Sequence, residues 1–171
     1  LTLWENDNPT RREMAKVDIP ILTITGHFDG DQPGALQYYR KHIEQSDVGS
    51  KQHYLVIGPW DHSGAIQPRT TVGGLQFGNN AKIDSFELHR DFFNWILRGQ
   101  QRPDLLSHPV CYYTIGIDQW RFSQNLKDIS ATTRTFYFSA NEDEAYDTFS
   151  SGYLINDQPL DEAPTQFVSD P

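Results

Sequence analysis

The sequence predicts an α/β unit over residues 1–104, followed over residues 105–171 by the first strands of an all-β unit. Three observations carry this prediction. Two short apolar runs, Ile21-Leu22-Thr23-Ile24-Thr25 and His53-Tyr54-Leu55-Val56-Ile57, have the composition and punctuation of strands. Each is followed by a stretch with apolar residues at helical spacing, giving the strand, helix, strand, helix order of βαβ construction. Past about Leu105 that spacing disappears, and short β-like runs alternate with segments rich in Gly, Asn, Asp and Ser.

In chain order, Asn8-Pro9-Thr10 marks a turn ahead of a short helix-compatible stretch, TRREMAKV. Asp18-Ile19-Pro20 opens the first strand and Gly26 ends it; a run apolar on both faces suits a central parallel sheet. From Gly34 onward Leu36, Tyr39 and Ile43 share one helical face, and the helix is expected to finish near Asp47 to Gly49. Gly58-Pro59 stops the second strand. Ser63 to Asn80 is Gly-rich and weakly patterned, and reads as a loop. Ile83 to Leu97 returns to helical spacing, with Phe86, Phe93 and Leu97 on one edge of a wide apolar face and Leu88, Phe92 and Trp95 on the other. Arg98-Gly99 is a helix exit, and Pro103 keeps the helix from resuming. The domain boundary is expected between Gly99 and Pro109. Val110 to Ile115, Thr135 to Phe138 and Tyr153 to Ile155 are the expected strands of the second unit, too few for a closed sandwich.

A net charge of −9, with no cluster of Lys and Arg, argues against a nucleic-acid partner, because phosphate binding requires concentrated positive charge. No run approaches the roughly 18 apolar residues of a membrane span, so no membrane partner is expected. Cys111 is the only cysteine, which excludes an intrachain disulfide and a thiolate metal cluster; its apolar surroundings predict a small core residue. The chain opens at Leu1 without a basic and apolar leader, and is expected to begin inside a longer protein; its compartment is not legible.

In open α/β sheets, ligands gather beyond the carboxyl ends of the strands. Asp29 stands a few residues past the first strand and His62 a few past the second. An imidazole moves a proton near neutral pH, and a carboxylate on its far nitrogen fixes the tautomer and stabilises the imidazolium. Acid before histidine is also the chain order of α/β-hydrolases, whose serine precedes both. Spacing alone leaves plainer roles open: a βα-loop aspartate commonly caps a turn, and a loop histidine commonly meets only solvent. Asp31, beside Pro33-Gly34, is expected to cap the helix that starts there. Asp61 is expected to be a loop residue, and Trp60 to pack beneath the histidine loop. His27, Asp29, Asp31 and His62 all carry zinc donors, but their spacing matches no ligand pattern, so neither metal nor cofactor is expected.

The segments IPILTITGHFDGDQPGALQYYR, YLVIGPWDHSG, VGGLQFG, DFFNWILRG and PVCYYTIG, the last followed by DQW, resemble the second half of the X-Pro dipeptidyl-peptidase and acyl-esterase family of serine hydrolases. That family takes in cocaine esterase, α-amino acid ester hydrolases and glutaryl-acylase-like proteins. The resemblance runs from about Ile19 to Trp120 in the family's order. Its most specific element is Gly58-Pro59-Trp60-Asp61-His62, similar to the family's G-P-W-x-H; next is Gly26-His27-Phe28-Asp29, similar to G-W-Y-D. By this resemblance His62 is the general base and Asp29 the triad acid, with His27 in place of an aromatic. It further implies the C-terminal portion of an α/β-hydrolase domain, then the opening strands of a jelly roll.

No serine in the chain has glycine two residues before and two after it, as the G-x-S-x-G nucleophile elbow demands, and Ser63 adjoins His62 too closely to serve. The chain is therefore expected to carry two members of a triad and to be silent alone. The expected substrates are small esters or amides, or short X-Pro peptides. Self-association through an incomplete sheet is a further expectation. The competing reading is a non-catalytic binding or structural module on a hydrolase-like scaffold, favoured by the missing elbow and disfavoured by the presence of both Asp29 and His62.

Overall fold

In the computed structural model, which describes residues 9–130, 132–139 and 153–158, the two β-rich runs lie side by side as parallel strands. They are β1 (Ile21–Gly26) and β2 (His53–Gly58), in register from Ile21 opposite His53 to Gly26 opposite Gly58. Before them, Thr10 starts the one-turn helix α1 (Arg11–Met14) through a capping box: its hydroxyl accepts from the Glu13 N–H, and the Glu13 carboxylate accepts from the Thr10 N–H. Met14 is thereby delivered to the interior.

Helix α2 (Gln32–Gln45) and the single turn α3 (Gly49–Gln52) connect β1 to β2. Alternation along β2 then sorts the core. Leu55 and Ile57 face the α2 side, where they pack with Tyr39 and Val110. Tyr54 and Val56 face the other side, where they meet Leu88 and Phe92 of α5 (Ser85–Arg98). All six residues of β2 are buried, as a strand covered on both faces requires. Asp84 caps α5 by accepting from the Glu87 N–H, and Gly99 ends it in the left-handed conformation at φ 65°. Only one edge of the helix's apolar face is covered: Phe86, Phe93 and Leu97 remain exposed.

The run at Val110 was expected to open a separate β unit. It is instead the third strand of the same sheet: β5 (Val110–Thr114) pairs parallel with β2, and β6 (Gln119–Ser123) pairs antiparallel with β5. The physical reason is two-sided burial. Val110 joins the α2-side core, Cys111 joins the α5-side core, and neither is exposed at all. The strand order is β1-β2-β5-β6, so the sheet runs across the boundary expected near residue 104. The segment expected to be a plain loop also holds structure: α4 (His62–Ile66) and a hairpin of β3 (Thr71–Val72) with β4 (Leu75–Gln76).

The chain divides into two units, Leu1–Ile129 and Ser130–Pro171. In the second, β7 (Tyr137–Ser139) pairs antiparallel with β8 (Tyr153–Ile155). The rest of the expected β unit, at 140–152 and 159–171, falls outside the described residues. Among the described residues no helix is long and apolar enough to cross a membrane.

Candidate active site

The carboxyl ends of β1 and β2 are locked together past the strands themselves. The His27 N–H donates to the Gly58 carbonyl at 2.8 Å and the Phe28 N–H to the Trp60 carbonyl at 2.9 Å, so the two loops leave the sheet as a joined pair. Trp60 is fully buried beneath them, its indole N–H donating to the Ala81 carbonyl. This packing explains two glycines. A Cβ on Gly58 would overlap the Trp60 ring, and one on Gly26 would overlap the Trp60 main chain. The expected role of Trp60 as packing under the histidine loop is what the structure shows.

Asp61 is more than a loop residue. It caps α4, accepting from the Gly64 N–H at 2.7 Å, and also receives the Ser63 hydroxyl and the Arg69 guanidinium. The Gly64 N–H, followed by the Arg69 charge, holds its carboxyl below the usual carboxylate range. His62, the first residue of α4, is thus set beside Asp29.

The His62 Nδ1–H donates to Asp29 Oδ1 at 3.2 Å. The Asp29 side chain is only 6% exposed, against 68% for His62, so a buried acid faces an accessible imidazole. Asp29 is itself held on both oxygens: the Asp31 N–H donates to Oδ1 at 3.0 Å, and the buried Thr25 hydroxyl donates to Oδ2 at 3.3 Å. Such an arrangement fixes the imidazole with its proton on Nδ1 and leaves Nε2 as the basic nitrogen.

Asp31 departs from expectation. It occupies the N-cap position of α2 but makes no side-chain capping bond. Its φ of −90° and ψ of −1° are helical rather than extended, which turns the carboxylate away from the first-turn N–H groups. That carboxylate lies instead 3.3 Å from His62 Nδ1. Asp29, Asp31 and His62 each present one donor atom within 4.8 Å of the others, and among the described residues no fourth histidine, cysteine or acid joins them. His27 turns elsewhere, its Nε2–H donating to the Tyr113 carbonyl. Thr25 was not singled out from the sequence; its place four residues before Asp29, at the end of the strand, was the available signal.

A cleft of about 370 Å³ is lined by the apolar Leu22, Ile24, Ile66 and Phe86 together with Asp29 and His62. It lies along β1, whose outer edge carries no partner strand among the described residues.

No protein-family model matches the chain, and no curated protein matches it. Solved structures do. An aminopeptidase from the marine sediment archaeon Thaumarchaeota archaeon superposes with a TM-score of 0.59 at 20% identity, over 84% of this chain and 22% of that one. An α-amino acid ester hydrolase, solved with selenomethionine label, superposes with a TM-score of 0.54 at 28% identity, over 67% of this chain and 19% of that one. The chain therefore spans about a fifth of the length of these two solved structures. The mixed α/β arrangement is thus similar in fold to part of a peptidase and part of an ester hydrolase.

Proposed function

We propose that this chain supplies the acid and the general base of a serine hydrolase that cleaves ester or amide bonds through an acyl-enzyme. In this reading unit 1–129 is the C-terminal part of an α/β-hydrolase domain, and 130–171 begins a jelly roll. This reading puts the boundary near residue 129 rather than 104, which the pairing of β5 and β6 with the first sheet supports. The observation that carries the proposal is the 3.2 Å bond from His62 Nδ1–H to buried Asp29, at the adjoining ends of two parallel strands.

His62 Nε2 takes the proton of an incoming serine hydroxyl as its oxygen attacks the substrate carbonyl. Asp29 stabilises the imidazolium so formed, and His62 returns the proton to the leaving alkoxide or amine. Water then repeats the sequence on the acyl-enzyme, with His62 again as base. The serine and the oxyanion-hole donors come from polypeptide other than these 171 residues, since the chain holds no G-x-S-x-G segment. The edge of β1, which has no partner strand among the described residues, and the apolar cleft beside it are where such polypeptide packs. Substrates are small acyl esters, acyl amides or X-Pro peptides.

Incubation of the isolated chain with an activated acyl ester tests the division of labour. The expected rate is that of buffer. Turnover above buffer that disappears in His62→Ala would show that the nucleophile lies within the chain.

A further inference from the structure

We infer that Asp31 is a second positioning residue for His62, standing beside the Nδ1–H that Asp29 accepts and able to take up that hydrogen bond and hold the ring in the same tautomer when Asp29 is removed. The inference rests on the dyad reading above and deepens it.

Three observations support it. First, both carboxylates lie within ion-pair distance of one nitrogen, Asp29 Oδ1 at 3.2 Å, which accepts its hydrogen bond, and Asp31 Oδ2 at 3.3 Å, which lies beside that bond without the alignment to accept it. Second, the ordinary task of an aspartate at a helix N-cap is left undone, so the Asp31 carboxylate is not committed to the α2 backbone. Third, the two acids are mechanically linked: the Asp31 N–H donates to the same Asp29 oxygen that receives the imidazole proton. Movement of either residue is therefore felt at His62.

Their environments assign the roles. Asp29, 6% exposed and bonded on both oxygens, has one orientation and a strong local field. Asp31, 80% exposed, is screened by water and is the weaker partner, a neighbouring charge while Asp29 accepts the bond and an acceptor once Asp29 is gone. An imidazole in the Nδ1–H form needs an acceptor on that side, and either carboxylate can supply it.

The tautomer itself is the readout, taken from the ring nitrogen chemical shifts of His62 in the full 171-residue chain at a pH where the imidazole is neutral. The Nδ1–H form is expected to dominate in the parent and to stay within about twofold of that ratio in Asp31→Ala. It should still dominate in Asp29→Ala, and the ratio should fall about tenfold further when Asp31→Ala is added. If Asp29→Ala does not fold, Asp29→Ser, which keeps a hydroxyl acceptor for the Asp31 N–H, replaces it in both backgrounds. Loss of the Nδ1–H form in the Asp29 variant alone, or its survival in the double variant, overturns the inference. Because no turnover is read, either result leaves the hydrolase reading to be judged by its own assay.

Discussion

Replacing His53 should flatten the pH dependence of folding, and the structure supplies the magnitude. His42 and His53 are both buried and meet Nδ1 to Nδ1 at 3.0 Å. The proton positions follow from the partners. The Val17 carbonyl can only accept, so His42 Nε2 carries a hydrogen and its Nδ1, in the neutral ring, accepts. The His53 Nδ1–H therefore donates to His42, and its Nε2 accepts from the Thr23 hydroxyl at 2.8 Å. Tyr38 and Tyr39 flank the His53 ring, and Ser46 donates to the same Val17 carbonyl.

Every polar atom of this chain of bonds is satisfied when both rings are neutral. An added proton on His53 would have to enter a site 1% exposed and reverse the Thr23 hydroxyl. Burial, with the neighbouring His42 second, pushes His53 down from 6.5 to about 3. The folded value lies below the unfolded one, so the unfolded chain binds the extra proton. Stability is full above about pH 6.5 and falls as pH drops toward 3, at about 1.4 kcal/mol per pH unit.

Between pH 7 and pH 5 the loss is about 2 kcal/mol. With a urea slope of about 2 kcal/mol per molar, the unfolding midpoint should drop by about 1 M over that interval. His53→Gln, whose amide can still donate to His42 Nδ1, should reduce the drop by about that amount even if the variant is less stable throughout. Equal pH dependence in parent and variant would refute the reasoning.

Gly58→Ala should cost several kcal/mol, because the new Cβ would displace the buried Trp60 ring and with it the loop that carries His62; thermal unfolding checks this, and a melting temperature unchanged from the parent would contradict it. Cys111 is fully buried, and burial pushes its thiol up to about 12. A thiol-specific reagent at pH 8 should therefore leave it unlabelled in the folded chain and label it promptly in denaturant.

Strand and helix identities were legible because they rest on local chemistry: the β-branched run at Ile21, the helical spacing through Ile83 to Leu97, and the Gly99 exit. Membership in a sheet is not local. The sequence at Val110 states a strand, but only the packing of Val110 and Cys111 against opposite faces says which sheet it joins. The hairpin at Thr71 does carry a local signal, the Gly73-Gly74 turn between Val72 and Leu75. Helix α4 is five residues long and depends on the Asp61 cap rather than on apolar periodicity, so spacing could not reveal it.

At the candidate site, the two strand ends pointed to Asp29 and His62 but left capping and solvated roles open, and it was the resemblance of Gly58-Pro59-Trp60-Asp61-His62 and of Gly26-His27-Phe28-Asp29 to family motifs that singled out the pair. The orientation of Asp31 was not legible, because capping depends on a ψ angle that composition does not set. The His42–His53 pair joins a helix to a strand across the α2 side of the sheet and matches no sequence pattern.

The most direct test of the central claim is turnover of an activated acyl ester by a longer polypeptide that joins this chain to a G-x-S-x-G segment, compared with its His62→Ala variant. The expected result is a loss of about 10⁴-fold or more in kcat with KM little changed, since His62 would act on the serine proton rather than on substrate binding. Turnover within a few-fold of the parent, in a variant shown to be folded, would contradict the assignment of His62 as the base and of the Asp29–His62 pair as the working half of a triad.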